Sequence, residues 1–322
     1  MNETIVILVD GEVLADSRES TIEEQKGCAG IFAEGLLPIL TSDLKIALLH
    51  GNKPQVGYVL FRSELASHML HPIPLDVCGA DTQGATGYML SQAILNELRK
   101  NNNKRHVMSV ITQTVVASDS EFLKKFDKQI GPWMDYERAE QRRQLHGWQI
   151  VEESGFGFRR AVSSPPPIEI LEIEGIKQLI DSGMIIITAG GGGIPVVVNE
   201  QGELEGVEAV VDTDQVAFML AHQLGAKLML MVVEKDHGFL SAGIGTENYQ
   251  TISRSKLEEM LAGDMIQSGF VRRKLHSAVE FLQSGGDQVI ITTLRKLPAT
   301  LKKESGLWIE TDNPYLDLSN QY

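Results

Sequence analysis

The stretch that most constrains this chain is residues 185–196, where an apolar run ends in four consecutive glycines and a proline. Its first residues, Ile185, Ile186 and Ile187, are β-branched and predict a buried strand. Glycine can adopt positive φ, and its amides can approach a bound anion closely. Because ligands of open α/β sheets lie beyond the carboxyl ends of strands, the stretch predicts a ligand-binding loop. The alternative is a tight turn between two buried strands.

Strands and helices alternate along all 322 residues, a length that suits one large α/β domain or two smaller ones. Hydrophobic patterning predicts further strands at 5–9, 45–49, 107–111, 227–233 and 288–293, and helices at 21–40, 82–100, 169–181, 214–224 and 271–283. This order predicts an α/β fold with a mainly parallel sheet covered on both faces. Residues 117–164 are charged and weakly patterned, so we expect an excursion from the sheet, closed by the stiff linker Pro165-Pro166-Pro167.

The composition restricts which partners the protein can bind and which cellular compartment we expect for it. The formal charge is -14, from 29 basic and 43 acidic residues, which argues against nucleic acid or an anionic membrane as the main partner. The first residues lack a signal-peptide pattern, and no run approaches the roughly 18 apolar residues of a membrane helix, so we expect a cytoplasmic protein. Cys28 and Cys78 predict neither a disulfide framework nor a metal site, and the eight histidines form no metal-type cluster.

Three glycine-containing turns follow predicted strands. They contain Gly11, then Gly51 with Asn52, and then Gly190, Gly191, Gly192 and Gly193. Parallel strands would bring these turns to one edge of the sheet, where they could hold a phosphate-sized anion. None of the turns has the dinucleotide-binding or P-loop pattern, so enzymes of those two kinds are disfavoured.

Two lysines and an aspartate are candidates for phosphoryl chemistry. Lys128 precedes Ile130-Gly131-Pro132, and Lys274 lies in the first turn of the amphipathic helix predicted at 271–283. Either lysine could neutralise a phosphoryl group, although solvated surface lysines are the commoner alternative. Asp214 could orient one of these lysines, or it could instead cap its helix.

Several motifs together resemble the carbamate kinases of the amino-acid-kinase superfamily. They occur in the family's order and span nearly the whole chain: His50-Gly51-Asn52-Lys53-Pro54-Gln55-Val56-Gly57, Pro74-Leu75-Asp76-Val77-Cys78-Gly79-Ala80, Thr82-Gln83-Gly84, Thr112-Gln113, Ile130-Gly131-Pro132, Gly157-Phe158-Arg159-Arg160, Ala189 to Pro195, Gly206 to Asp212, and Ile290-Ile291-Thr292.

The resemblance implies one domain over residues 1–322, built as an open three-layer α/β/α sandwich around a mostly parallel eight-stranded sheet. An N-terminal lobe, about 1–183, would hold carbamate or carbamoyl phosphate, and a C-terminal lobe, about 184–322, would hold ATP or ADP with Mg²⁺. A small protruding subdomain would span about 117–165. The family usually forms homodimers and transfers a phosphoryl group between ATP and carbamate, often within arginine metabolism.

The family's functional residues map onto this sequence position by position. Lys128 matches the subdomain lysine, Lys274 the late lysine and Asp214 the aspartate that organises them. Gly11 falls in the first phosphate loop, Gly51 and Asn52 in the second, and Gly190 to Gly193 in the third.

Several positions depart from the family's pattern. Asp10 and Glu12 stand in a first loop that reads Gly-Gly-Asn in the family, and Thr213 replaces a lysine. Arg272 and Arg273 replace Gly-Pro, Glu234 and Lys235 replace Thr-Asp, Lys53 replaces a glycine and Gln129 replaces a proline. Because carboxylates oppose a bound polyanion, three functions stay open. They are a carbamate kinase of weak or altered activity, a non-catalytic binding or regulatory subunit with a hetero-partner, and a different acyl phosphate chemistry.

Overall fold

The computed structural model describes residues 3–15, 20–234, 239, 243–244, 248–263, 266 and 269–312. Its strands, in chain order, are β1 (Thr4–Val9), β2 (Lys45–His50), β3 (Val107–Ser109), β4 (Gln113–Val116), β5 (Lys128–Met134), β6 (Gln149–Glu153), β7 (Gly157–Val162), β8 (Pro167–Ile170), β9 (Ile185–Ile187), β10 (Ile194–Val198), β11 (Leu204–Gly206), β12 (Leu228–Val233), β13 (Gln250–Ser253), β14 (Gln288–Thr293) and β15 (Leu307–Glu310).

Helices connect most of these strands. In chain order they are α1 (Gly11–Leu14), α2 (Ile22–Gly35), α3 (Leu37–Leu40), α4 (Lys53–Ala66), α5 (Leu75–Lys100), α6 (Ser120–Leu123), α7 (Tyr136–His146), α8 (Ile173–Asp181), α9 (Thr213–Gln223), α10 (Arg254–Ala262), α11 (Gly269–Gln283) and α12 (Leu297–Leu301).

In the described part of the chain, eight strands form the main sheet in the order β13-β15-β14-β12-β1-β2-β9-β3. Its neighbouring strands pair in parallel, except for β14 and β15, which are antiparallel. The predicted α/β fold with a mostly parallel eight-stranded sheet is confirmed. Parallel strands leave their carboxyl ends at one edge, so the loops that follow β1, β2 and β9 are neighbours.

Two hydrophobic cores lie on the two faces of this sheet. Alternation along β1 sends Val6 and Leu8 into one core and Ile5, Ile7 and Val9 into the other. Helices α8, α9, α10 and α11 pack on the first face, and α2, α5 and α12 pack on the second. Burial of each large aliphatic side chain contributes about 1.5–3 kcal/mol, so the two cores fix the positions of the strand ends.

Two smaller sheets extend the main body. Strands β11, β10, β4 and β8 form one, and β5, β7 and β6 form an antiparallel sheet that carries α7. The second of these lies within the excursion expected at 117–164. Helix α7 begins where Asp135 accepts a hydrogen bond from the Arg138 amide, and it ends at Gly147.

The structure corrects several predicted boundaries. Residues 169–170 are not helical, because β8 pairs with β4 there and α8 begins at Ile173. Pro167 therefore starts a strand rather than closing a linker. The predicted helix 21–40 is interrupted at Leu36, between α2 and α3. Helix α5 begins at Leu75, seven residues before the expected start at Thr82. Among the described residues, no helix is both long enough and apolar enough to span a bilayer.

Candidate active site

Three loops meet at the carboxyl ends of β1, β2 and β9. The first two are in backbone contact, since a Cβ on Gly51 would lie 2.5 Å from the Gly11 nitrogen. Gly51 also donates its amide to the carbonyl of Val9. Only glycine lets two chains approach this closely, which explains the paired glycines after β1 and β2.

The third loop, Gly190 to Gly193, reaches the second loop through Gly191. This residue has a φ of 68°, and a Cβ there would lie 2.1 Å from Asn52 Nδ2. The same Asn52 nitrogen donates to Thr82 Oγ1 at 2.8 Å. Gly191 lines the cleft, whereas Gly190, Gly192 and Gly193 pack against His50, Val211 and Thr114.

These loops open into a cleft of about 690 Å³. Charged side chains of both signs surround it. In the described part of the chain, five are cationic (Lys53, Lys128, Arg159, Arg273 and Lys274) and six are carboxylates (Asp10, Glu12, Asp127, Glu153, Asp212 and Asp214). A polyanion in this cleft would therefore meet compensating cations and opposing carboxylates together.

Lys274 lies at the floor of the cleft and is almost completely buried. Its Nζ is 2.7 Å from Asp10 Oδ1 and 2.7 Å from Asp214 Oδ1. A buried charge needs such partners, because desolvation otherwise favours the neutral form. Burial alone would lower the pKa of Lys274, but the two carboxylates outweigh it and raise that pKa above its ordinary value.

Asp10 is the member of this cluster whose negative charge is poorly stabilised. Burial raises the pKa of Asp10 from 3.8 to about 6, although Lys274 opposes the shift. The neighbouring Asp214 and Glu12 add to the rise. Among the described residues, no group donates a hydrogen bond to Asp10 Oδ2, which is buried. The Asp10 carboxylate therefore faces Lys274 and sits in the cleft with one oxygen unsatisfied.

Lys128 has its own carboxylate partner. Its Nζ lies 2.8 Å from Asp212 Oδ2, and Arg273 Nε lies 3.6 Å from the same oxygen. Burial would raise the pKa of Asp212, but the ion pair with Lys128 outweighs it and lowers that pKa. Asp212 also caps α9 by accepting a hydrogen bond from the Asp214 amide. The alternative that Asp214 caps the helix is thus wrong.

The structure brings most of the predicted site residues together. Those that line the cleft are Asp10, Gly11, Glu12, Gly51, Asn52, Lys128, Gly191, Thr213, Asp214, Arg273 and Lys274. Glu12 is ion-paired with Lys53 at 3.3 Å. Arg272 and Glu234 do not line the cleft. Lys235 lies outside the described residues.

Sequence reasoning missed three residues that support the loops. His50 is fully buried, and burial lowers its pKa to about 4, so it is neutral near pH 7. Its Nδ1 lies 3.0 Å from the Gly51 carbonyl, a contact that requires the Nδ1–H tautomer. Thr112 Oγ1 accepts the Ala189 amide at 3.0 Å and thereby supports Ala189 at a φ of 49°. The third is Asp212. All three lie inside the motifs that carry the resemblance, although no local pattern gave them a role.

The described residues contain no group of three or more His, Cys, Asp or Glu side chains placed to hold a metal ion. A substrate that brings its own Mg²⁺ would need few protein ligands, because Mg²⁺ at phosphates keeps several waters.

The fold and the cleft define a class of protein, and comparison with known proteins identifies that class. Residues 3–293 match the amino acid kinase family, and the chain belongs to it. It is 34% identical over 311 residues to a carbamate kinase of Pyrococcus horikoshii, covering 95% of this chain and 98% of that one. It is 36% identical over 318 residues to the carbamate kinase-like protein YahI of Escherichia coli, covering 96% and 99%.

A solved structure gives the same result. Carbamate kinase from Giardia lamblia bound to AMP-PNP matches with a TM-score of 0.85 and 29% identity, over 97% of this chain and 99% of that one. The resemblance to carbamate kinases drawn from the motifs is therefore confirmed.

Proposed function

We propose that this protein is a phosphotransferase of the carbamate kinase type, interconverting ATP and carbamate with ADP and carbamoyl phosphate at a weak or altered rate. The observation that carries the proposal is the convergence of three loops on one cleft with Lys274 at its floor and Lys128 at its side. Phosphoryl transfer depends mainly on positioning and on compensation of charge, which loop amides and lysines supply.

Each residue has a proposed role in this chemistry. The amides around Gly11, Gly51 and Gly191 bind the phosphoryl oxygens, and Asn52 lines the same site. Lys128 and Lys274 neutralise the transferred group, while Asp212 and Asp214 hold the two ammonium groups in place. Gly190, Gly192 and Gly193 shape the third loop. The N-terminal lobe, about 1–183, holds carbamate, and the C-terminal lobe, about 184–322, holds the nucleotide with Mg²⁺.

Asp10 makes the proposed activity unusual. Lys274 already shares its single positive charge between two carboxylates, so an arriving phosphoryl group adds further negative charge beside it. Because the pKa of Asp10 is about 6, a proton can remove one of those charges at little cost. Phosphoryl binding therefore couples to proton uptake by Asp10, and we expect the affinity for carbamoyl phosphate to rise as the pH falls towards 6.

A second candidate function rests on the same ion pairs. With Lys274 paired to Asp10 and Asp214, and Lys128 paired to Asp212, the charge of each ammonium group is already compensated by carboxylates before a ligand arrives. This arrangement favours a non-catalytic binding or regulatory subunit, or an acyl phosphate chemistry that uses little ATP.

We further propose a cytoplasmic homodimer acting in arginine metabolism, with a hetero-partner if the protein is non-catalytic. Analytical ultracentrifugation tests the oligomeric state.

The direct test is ATP formation. Purified protein with ADP, Mg²⁺ and carbamoyl phosphate should yield ATP in a luciferase assay. Lys274→Met should lower the rate by roughly two to three orders of magnitude, as removal of a transition-state charge partner does. Lys177→Met is the matched control, because Lys177 lies on the surface of α8 in a pair with Glu174. No ATP above the blank, together with no ADP binding by calorimetry, would exclude the kinase proposal.

A restoration variant tests the departures themselves. Asp10→Gly, Glu12→Asn and Thr213→Lys together remove two carboxylates from the cleft, add one cation and leave Lys274 paired with Asp214 alone. We expect a faster rate or tighter ADP binding. An unchanged rate and an unchanged affinity would show that these positions do not limit the chemistry.

A further inference from the structure

A second cavity of about 460 Å³ is lined by residues of α4, α7 and β7 and of the loops beside them. It shares no lining residue with the cleft described above. Arg159 lines the cleft, and Arg160 lines the second cavity.

Two acidic and two basic side chains line this cavity. One pair is satisfied: Arg160 forms a close ion pair with Glu208, and Glu208 also accepts the Leu75 amide. The Arg160 guanidinium stacks 4.5 Å from the centre of the Trp148 ring. Both members of this pair therefore have hydrogen-bond partners.

The other pair, Glu64 and Arg142, is close but not bonded. Arg142 Nη2 is 3.7 Å from Glu64 Oε2, beyond hydrogen-bond distance, and Arg138 Nη2 is equally far. Both side chains are about nine-tenths buried, with 6% and 11% of their side-chain surface exposed. Among the described residues, no group donates to either Glu64 oxygen, and none accepts from Arg142 Nε. Burial raises the pKa of Glu64 even though three arginines oppose the shift.

Buried charged groups normally have hydrogen-bond partners, so this gap between an acceptor and a donor points to a ligand. The ligand must offer a donor to Glu64 and an acceptor to Arg142 Nε at once. The charged side chains that line the cavity balance, since two carboxylates accompany two guanidinium groups, and burial together with two arginines lowers the pKa of His146 and so disfavours its charged form. A net-neutral ligand with both signs preserves that balance, whereas a simple cation or anion does not.

We propose that this cavity binds a small amino-acid-type zwitterion. Its ammonium group donates to Glu64 and its carboxylate accepts from Arg142 Nε. Its apolar part packs on Leu60, Ile73 and Trp148, which line the same cavity. The volume suits such a ligand, because small-molecule sites occupy about 300–1,000 Å³.

The test is a binding screen on the full chain. The standard L-amino acids are added singly in a thermal-shift assay, and every one that raises the melting temperature is titrated by calorimetry. We expect at least one to bind saturably at one site per chain. Its decarboxylated amine and its deaminated acid should each bind at least about ten-fold more weakly, because each loses one charged hydrogen bond.

Variants assign the binding to this cavity. Glu64→Gln and Arg142→Gln should each weaken the affinity at least about ten-fold. Ser67→Trp fills the cavity from the end of α4 and leaves Glu64 and Arg142 unsubstituted, so it should abolish binding, and it tests the proposal if a charge variant fails to fold. Lys274→Met, in the separate cleft, should leave the affinity unchanged.

Four results would overturn the proposal. They are no binding by any amino acid, equal binding by the amine or the acid alone, binding that survives Ser67→Trp, and binding that Lys274→Met removes.

Discussion

The behaviour of single residues at the cleft depends on partners far away in the sequence. Asp10 and Lys274 are 264 residues apart, yet their charged atoms are 2.7 Å from each other. In the sequence, Asp10 is an acidic residue in a loop that binds phosphate in the family. In the fold, it is a partner of the buried lysine and competes with a phosphoryl group for that lysine.

The pKa of Asp10 gives the first prediction. It is raised from 3.8 to about 6 in the folded chain, so folding favours the protonated form. The stability that this group contributes is complete below pH 3.8 and is lost as the pH rises through 6. Relative to Asp10→Asn, the wild type should therefore lose about 3 kcal/mol of unfolding free energy between pH 3 and pH 7, measured by urea denaturation.

Glu174→Gln is the matched control, because Glu174 is exposed and its pair with Lys177 is a surface pair. Such pairs contribute about 0–1 kcal/mol, so this variant should follow the wild-type pH profile closely. If Asp10→Asn and the wild type have parallel profiles, the raised pKa of Asp10 is contradicted.

Among the structural elements, the glycine loops depend most on the close approach of one backbone segment to another. The loops after β1 and β2 touch through backbone atoms, and no side chain there can move aside. Gly51→Ala should therefore lower the unfolding free energy by about 1–3 kcal/mol, as overpacking does, and should weaken phosphate binding.

Gly27→Ala is the comparison for this second variant. Gly27 lies within α2, and nothing is within 4 Å of the position that its Cβ would take. Alanine is the better helix former by about 0.8–1 kcal/mol, so this variant should be more stable than the wild type. Both are measured by chemical denaturation, and an equal effect of the two substitutions would show that the loop contact is not limiting.

Long elements with strong periodicity were predictable, and their ends were not. The sequence predicts the apolar periodicity of α5 and α11, because one face of each helix packs on the sheet. The sequence does not predict that α5 starts at Leu75, because the amide of Leu75 donates to the Glu208 carboxylate, 133 residues later. Likewise, residues 169–170 read as helix, but pairing of β8 with β4 made them a strand.

At the scale of the whole molecule, a buried histidine opposes Asp10 in the stability profile. The pKa of His50 is lowered from 6.5 to about 4 by burial, so folding favours its neutral form. Its contribution to stability is complete above pH 6.5 and is lost as the pH falls through 4.

This opposition gives the third prediction. Relative to His50→Gln, the wild type should lose about 3 kcal/mol of unfolding free energy as the pH falls from 6.5 to 4. The sign is opposite to that of Asp10→Asn over nearly the same range, so the wild-type profile should be flatter than either variant's. A wild-type profile steeper than both, in urea denaturation at several pH values, would contradict this account.

The alternation of strands and helices, the parallel sheet and the three loops at its edge all follow from the order of residues along the chain. They do so because hydrophobic period and glycine placement act locally and repeat over many residues. The pairing of Lys274 with Asp10 and Asp214, that of Lys128 with Asp212, and the unbonded Glu64 and Arg142 arise only when distant segments meet. Charge interactions depend on distance and burial, and neither quantity is written in the local sequence.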